Sequence, residues 1–134
     1  MKIADANVIV GMVTGMTQGE WTIVGPVLAE AQATERPVVV TEAAFIEAEW
    51  VLRRRYGLAR REIAGTLQAL LDSASFEAWD PPLATLALRV MADEPRLDLA
   101  DCVLAARHLS GEGEVLTFDR LLARTIQERR AGND

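Results

Sequence analysis

The sequence predicts an α/β fold in which a parallel sheet is covered by helices on both faces. Three observations carry this expectation. Short apolar runs alternate with longer segments of helical spacing, as in chains that build parallel sheets. The run Pro37-Val38-Val39-Val40-Thr41 is a β-branched burst too short for anything but a buried strand. A chain of 134 residues that is 50% hydrophobic can also bury a proper core. No repeat, low-complexity tract or Gly/Ser linker interrupts it, so residues 1–134 are expected to form one domain, with a polar tail that frays from about Arg129.

The elements follow in order. Lys2 to Ala6 reads as a first strand ending near Asp5, where Val8-Ile9-Val10 opens a helix. Residues 19–34 read as helix because Val24, Val27, Leu28 and Ala31 recur at spacings of three and four, and Pro37 stops it. After the Pro37–Thr41 strand, Glu42 to about Tyr56 returns to helical spacing, with Gly57 where a C-cap belongs. From about Ala59 to Ser73, Ile63, Leu67, Leu70 and Leu71 share one helix face. Phe76 to Trp79 reads as a third strand before Pro81-Pro82, and Leu83, Leu86, Ala87 and Val90 mark the next helix, broken at Pro95. Leu97 to Leu109 is apolar nearly all round and reads as a buried helix. Glu114 to Thr117 reads as a fourth strand, ahead of a last helix from about Arg120.

Composition excludes several chemistries. With 14 Lys+Arg against 20 Asp+Glu, the net charge is −6, so the chain does not hold nucleic acid by bulk positive charge. One histidine, His108, and one cysteine cannot supply the soft ligands of a zinc site, and a Ser-His-Asp or Cys-His hydrolase would have to rely on His108 alone. The single lysine, Lys2, is not part of a glycine-rich phosphate loop. No apolar run approaches the ~18 residues that span a bilayer, the opening MKIADANVIV lacks a secretory pattern, and a lone cysteine forms no internal disulfide. A reducing cytoplasm is the expected location. What remains plentiful is carboxylate, the ligand type of hard cations such as magnesium.

Ligands of open α/β sheets bind at the carboxyl ends of the strands. This places Asp5, at the end of the first strand, and Asp119, just after the fourth, on one rim. Asp101 sits inside the apolar run Leu99 to Ala106, where an unpaired charge is expensive to desolvate. Glu47 falls within the stripe Ala43, Ile46, Trp50 and Val51, whereas Glu42 and Glu49 stand more than a quarter turn away and are expected to face solvent. Singly, Asp119, Asp98 and Asp5 could each cap the helix that follows, with Asn7 a rival to Asp5. Asp101 and Glu47 make poor caps, which leaves a buried arginine partner or a cation to compensate them. Several carboxylates on one rim repel and raise one another's pKa unless a divalent cation neutralises them, so a metal site is the economical expectation.

Four stretches carry a family resemblance: Asp5-Ala6-Asn7-Val8-Ile9-Val10, Ile46 to Gly57, Asp98 to Ala106, and Leu116-Thr117-Phe118-Asp119-Arg120. In this order, from Asp5 to about Arg124, they resemble the motifs of PIN-domain ribonucleases, most closely VapC-type toxins of bacterial toxin-antitoxin pairs. The resemblance implies a three-layer α/β/α fold with a central parallel sheet of four or five strands. It also implies a Mg²⁺- or Mn²⁺-dependent endoribonuclease that leaves a 5′-phosphate and a 3′-hydroxyl. Its catalytic and metal-binding acids would fall on Asp5, Glu47, Asp101 and Asp119, with Asp98 an accessory ligand one turn before Asp101. Glu47 is preferred to Glu42 and Glu49 because it stands three residues before Trp50-Val51-Leu52-Arg53. Asn7 and Thr117 would be accessory, Thr117 by hydrogen-bonding a water or a neighbouring carboxylate, although it reads equally as an ordinary strand threonine. Two positions depart from the family: Ala6 replaces the usual Thr or Ser, and the chain from Leu121 looks helical where a further strand is usual. The implied partners are RNA, a small antitoxin protein that blocks the cleft, and a second copy in a homodimer.

Local basic patches supplement this reading. Arg53-Arg54-Arg55 with Arg60 and Arg61, and the pair Arg120 and Arg124 beside Asp119, could contact RNA phosphates, with Arg53, Arg54, Arg120 and Arg124 the favoured contacts. Trp21, Trp50 and Trp79 are expected to pack rather than stack on bases, and His108 to be structural. The alternatives are a non-catalytic protein-binding module that retains the fold, or an orphan or housekeeping nuclease. A phosphoacceptor receiver domain would need a better-placed lysine than Lys2.

Overall fold

Helix boundaries in the computed structural model, which describes residues 1–132, follow the caps and breakers of the sequence. The order is α1 (Ala6–Thr14), α2 (Gln18–Thr34), β1 (Val38–Val40), α3 (Glu42–Arg54), α4 (Arg60–Asp72), β2 (Phe76–Ala78), α5 (Pro81–Asp93), α6 (Leu99–Leu109) and α7 (Arg120–Gly132). Two compact units, Met1–Pro81 and Pro82–Asp134, divide the chain.

In the first unit, Asp5 is extended and accepts a hydrogen bond from Asn7 N at 2.8 Å, giving one of the orphan N–H groups of α1 a partner. Ile9 and Val10 are buried on α1, which packs on α3. At α2 a reciprocal capping box forms: Glu20 N donates to Thr17 Oγ1 and Thr17 N donates to Glu20 Oε1. The helix runs on through Pro26 and ends at Glu35, whose φ of 56° is left-handed. Apart from Ala31 its residues are exposed or half-buried, and Trp21 is exposed rather than packed.

β1 and β2 pair in parallel, with Val38 opposite Phe76 and Val40 opposite Ala78. The expected first strand contracts to one bridge between Ile3 and Val39, because Asp5 begins capping α1 immediately afterwards. The expected fourth strand, Glu114–Thr117, is not a strand: Val115 N donates to His108 Nδ1, and Asp119 N to Thr117 Oγ1, so side chains take backbone donors that a ladder would need. Among the described residues the sheet thus has two strands, not four or five.

The buried face of α3 is Ala44, Phe45, Ala48, Glu49 and Leu52, not the Ala43, Ile46, Trp50 and Val51 stripe expected. Phe45 meets Trp79 with ring centroids 5.4 Å apart, which turns Trp50 outward to 46% exposure while Trp79 packs as expected. Ile63 and Leu67 on α4 and Phe76 on β2 complete this core.

In the second unit α5 opens on Pro81-Pro82, where a first turn has no need of the missing N–H, and buries Leu83, Ala87, Leu88, Val90 and Met91. Leu99, Cys102, Val103, Ala105 and Ala106 fill the inner side of α6, which packs on α7 through a core that includes Leu122 and Ile126. α7 continues to Gly132 and so takes in the start of the polar tail, whose last residues, Asn133 and Asp134, lie outside the described residues. Among the described residues no helix is long and apolar enough to cross a membrane.

Candidate acidic site

Three of the expected acids meet in the second unit, at the N-termini of α6 and α7. Asp98 Oδ1 accepts from Asp101 N at 2.9 Å and caps α6. Asp119 Oδ1 accepts from Leu121 N at 2.9 Å and Leu122 N at 3.2 Å and caps α7, while Thr117 Oγ1 accepts from Asp119 N at 2.9 Å. Asp101 is half-buried in the first turn of α6. Burial first, then the negative charges of Asp98 and Asp119 and a hydrogen bond shared with Asp98, push its carboxyl above the usual range. Capping and clustering are therefore not rival readings here: the caps hold Asp98 and Asp119 in place, and their charges bear on Asp101. A carboxylate has acceptor capacity beyond one capping bond.

Among the described residues no group of three or more His, Cys, Asp or Glu is arranged to hold an ion as it stands. The donor set nevertheless suits a hard divalent cation: the ligands are carboxylate oxygens, and the repulsion that lifts Asp101 is what such a charge relieves.

Asp5 and Glu47 belong to the first unit. Asp5 is exposed at the start of α1, and Asn7, whose N–H it caps, is exposed beside it. Glu47 is exposed on α3, so burial demands no partner for it, contrary to expectation; it stands three residues before Trp50. The buried acid is Glu49, only 1% exposed and expected to face solvent, which accepts from Arg53 Nε at 2.7 Å. The acid-before-base spacing of four residues was the sequence signal for this pair. Glu42 is half-buried in the first turn of α3.

Of the basic residues, Arg54, Arg120 and Arg124 are exposed, and Arg53 is engaged with Glu49. His108 is structural, accepting on Nδ1 from Val115 N at 3.2 Å.

Residues 2–127 match the PIN domain family, a span that runs through both units. The chain belongs to the PIN domain family. No curated protein and no solved structure matches it. PIN domains are α/β domains and generally metal-dependent nucleases, in keeping with the parallel β1–β2 pair and the carboxylate-rich motifs. The PIN match also covers every acid named above, from Asp5 to Asp119.

Proposed function

We propose that the chain is a single nuclease domain, a Mg²⁺- or Mn²⁺-dependent endoribonuclease of the VapC type that acts in the cytoplasm as the toxin of a toxin-antitoxin pair. It works as a homodimer and is blocked by a small antitoxin protein. The observation that supports this best is Asp101, lifted between Asp98 and Asp119 in a chain of the PIN family.

In this reading Asp5, Glu47, Asp101 and Asp119 hold the cation and Asp98 assists. Held there, a divalent ion would supply Lewis-acid activation of water and neutralisation of charge at a phosphodiester. The protein's own part is positioning. Asp98 secures the first turn of α6 and so the backbone that carries Asp101, and Thr117 and the α7 amides fix Asp119. Arg120 and Arg124, exposed and one turn apart, and Arg53 and Arg54 on α3 take RNA phosphates, while Asn7 is accessory beside Asp5. His108 accepts a backbone hydrogen bond on Nδ1, which gives it a structural part in holding the loop before Leu116.

Purified protein is expected to cut single-stranded or hairpin RNA in Mg²⁺ or Mn²⁺, to stop in EDTA, and to recover with excess Mn²⁺. Undiminished cleavage in EDTA would falsify the metal mechanism. Expression without an antitoxin is expected to arrest growth; normal growth despite abundant soluble, RNA-cleaving protein would leave an orphan or housekeeping nuclease instead. A second reading is a non-catalytic protein-binding module that retains the PIN fold. Titration with Mn²⁺ separates the two, because a module binds the ion no better than any acidic surface.

A further inference from the structure

Leu116 and Phe118 stand wholly in water, at 101% and 106% of full exposure. Large apolar side chains left this way forgo the burial that any apolar contact would give them. They flank Thr117, which is half-buried and whose Oγ1 holds Asp119 N at 2.9 Å. Asp119 is tied in turn to the first turn of α7 by two further bonds. Phe118 is thus mounted between two anchored residues, one peptide before an acid of the candidate site. Arg120 and Arg124 follow, exposed on α7.

We propose that Phe118 is a stacking platform for an unpaired RNA base next to the phosphodiester handled by Asp101 and Asp119, an inference that rests on the nuclease reading above. The neighbours of the ring select this occupant. A protein surface docking on Phe118 would have to desolvate the exposed Asp119 and Arg120 that directly follow it, and charged residues are depleted from the cores of protein interfaces. A nucleotide fits the same mixture: its base lies on the aromatic face and its phosphate meets arginine. Because a base must leave its helix to reach a side chain, the substrate class is single-stranded or loop RNA. Stacking tolerates every base, so Phe118 fixes where an unpaired base sits relative to the cut more than which base it is.

The test is binding in EDTA, where no cleavage interferes, of a single-stranded RNA carrying 2-aminopurine, whose fluorescence is quenched on stacking. The wild type is expected to quench it. Phe118→Ala should weaken binding about tenfold and lose the quenching, in line with the loss of one stacked base. Phe118→Trp should keep both, and Phe118→Leu, still apolar, should lose the quenching. All three should keep the wild-type thermal midpoint, since the side chain is fully exposed. The inference is overturned if the wild type does not quench, if Phe118→Ala binds as the wild type does, if Leu serves as well as Trp, or if Phe118→Ala changes only the oligomeric state. Cleavage of the same RNA by the wild type in Mn²⁺ tests the nuclease reading separately. Cleavage with unaltered binding by Phe118→Ala sinks the platform alone, and quenching without cleavage sinks the nuclease alone.

Discussion

Asp101→Asn is expected to lower RNA cleavage by about 100-fold or more, because even partners that merely orient metal ligands cost about 10–100-fold when removed. The same substitution is expected to raise the thermal midpoint of the metal-free protein at neutral pH. Burial, Asp98 and Asp119 lift the Asp101 carboxyl above its ordinary value of 3.8. As pH rises from 3.8 through the lifted value, the folded state holds more protons than the unfolded one, so stability falls across that window. Above it the cost is fully present. Asparagine has no such titration, so the gain in midpoint should be complete at neutral pH and vanish below 3.8. Asp101 is only half-buried, and solvent screening keeps the gain modest. Mn²⁺ should reverse the order, since it stabilises only the protein that binds it. A lower midpoint for Asp101→Asn in EDTA at neutral pH would mean that Asp101 is held by favourable contacts instead of being crowded by its neighbours.

The helices were legible because their ends are decided locally. Asp98 before α6, Thr17 with Glu20 at α2, and the prolines at 37, 81, 82 and 95 act within one turn of where they stand. The caps Asp98 and Asp119 were legible for the same reason, and Asp101, marked by its place in an apolar run, lies where their charges reach it. What depends on distant partners was not. A short apolar run such as Glu114 to Thr117 becomes a strand only if another strand accepts its donors, and here His108 takes one of them. The helical period of α3 allows two neighbouring faces, and nothing between Glu42 and Arg54 discloses that Trp79 waits for Phe45. Choosing the wrong face exchanged Glu47 for Glu49 as the buried acid.

That exchange leads to the second large effect, on stability: Arg53→Ala is expected to destabilise the protein by about 2 kcal/mol in urea denaturation. The Glu49 side chain is 2% exposed and accepts from Arg53 Nε at 2.7 Å, so removing the arginine strands a carboxylate on the buried face of α3. Breaking a fully enclosed pair in this way costs about 3–5 kcal/mol. Arg53 keeps 28% of its side chain in water, and solvent following it inward softens the loss. Replacing both residues, as Glu49→Met with Arg53→Met, removes the stranded charge and fills the space with apolar atoms, so the double variant should recover most of the loss. The two sites are then strongly non-additive, which is the signature of one interaction shared between them. Glu47→Gln on the exposed side of the same helix should leave the urea midpoint unchanged while cleavage falls. If Arg53→Ala costs less than about 0.5 kcal/mol, the pair behaves as an ordinary surface ion pair. The burial of Glu49, and with it the orientation of α3, would then be wrong.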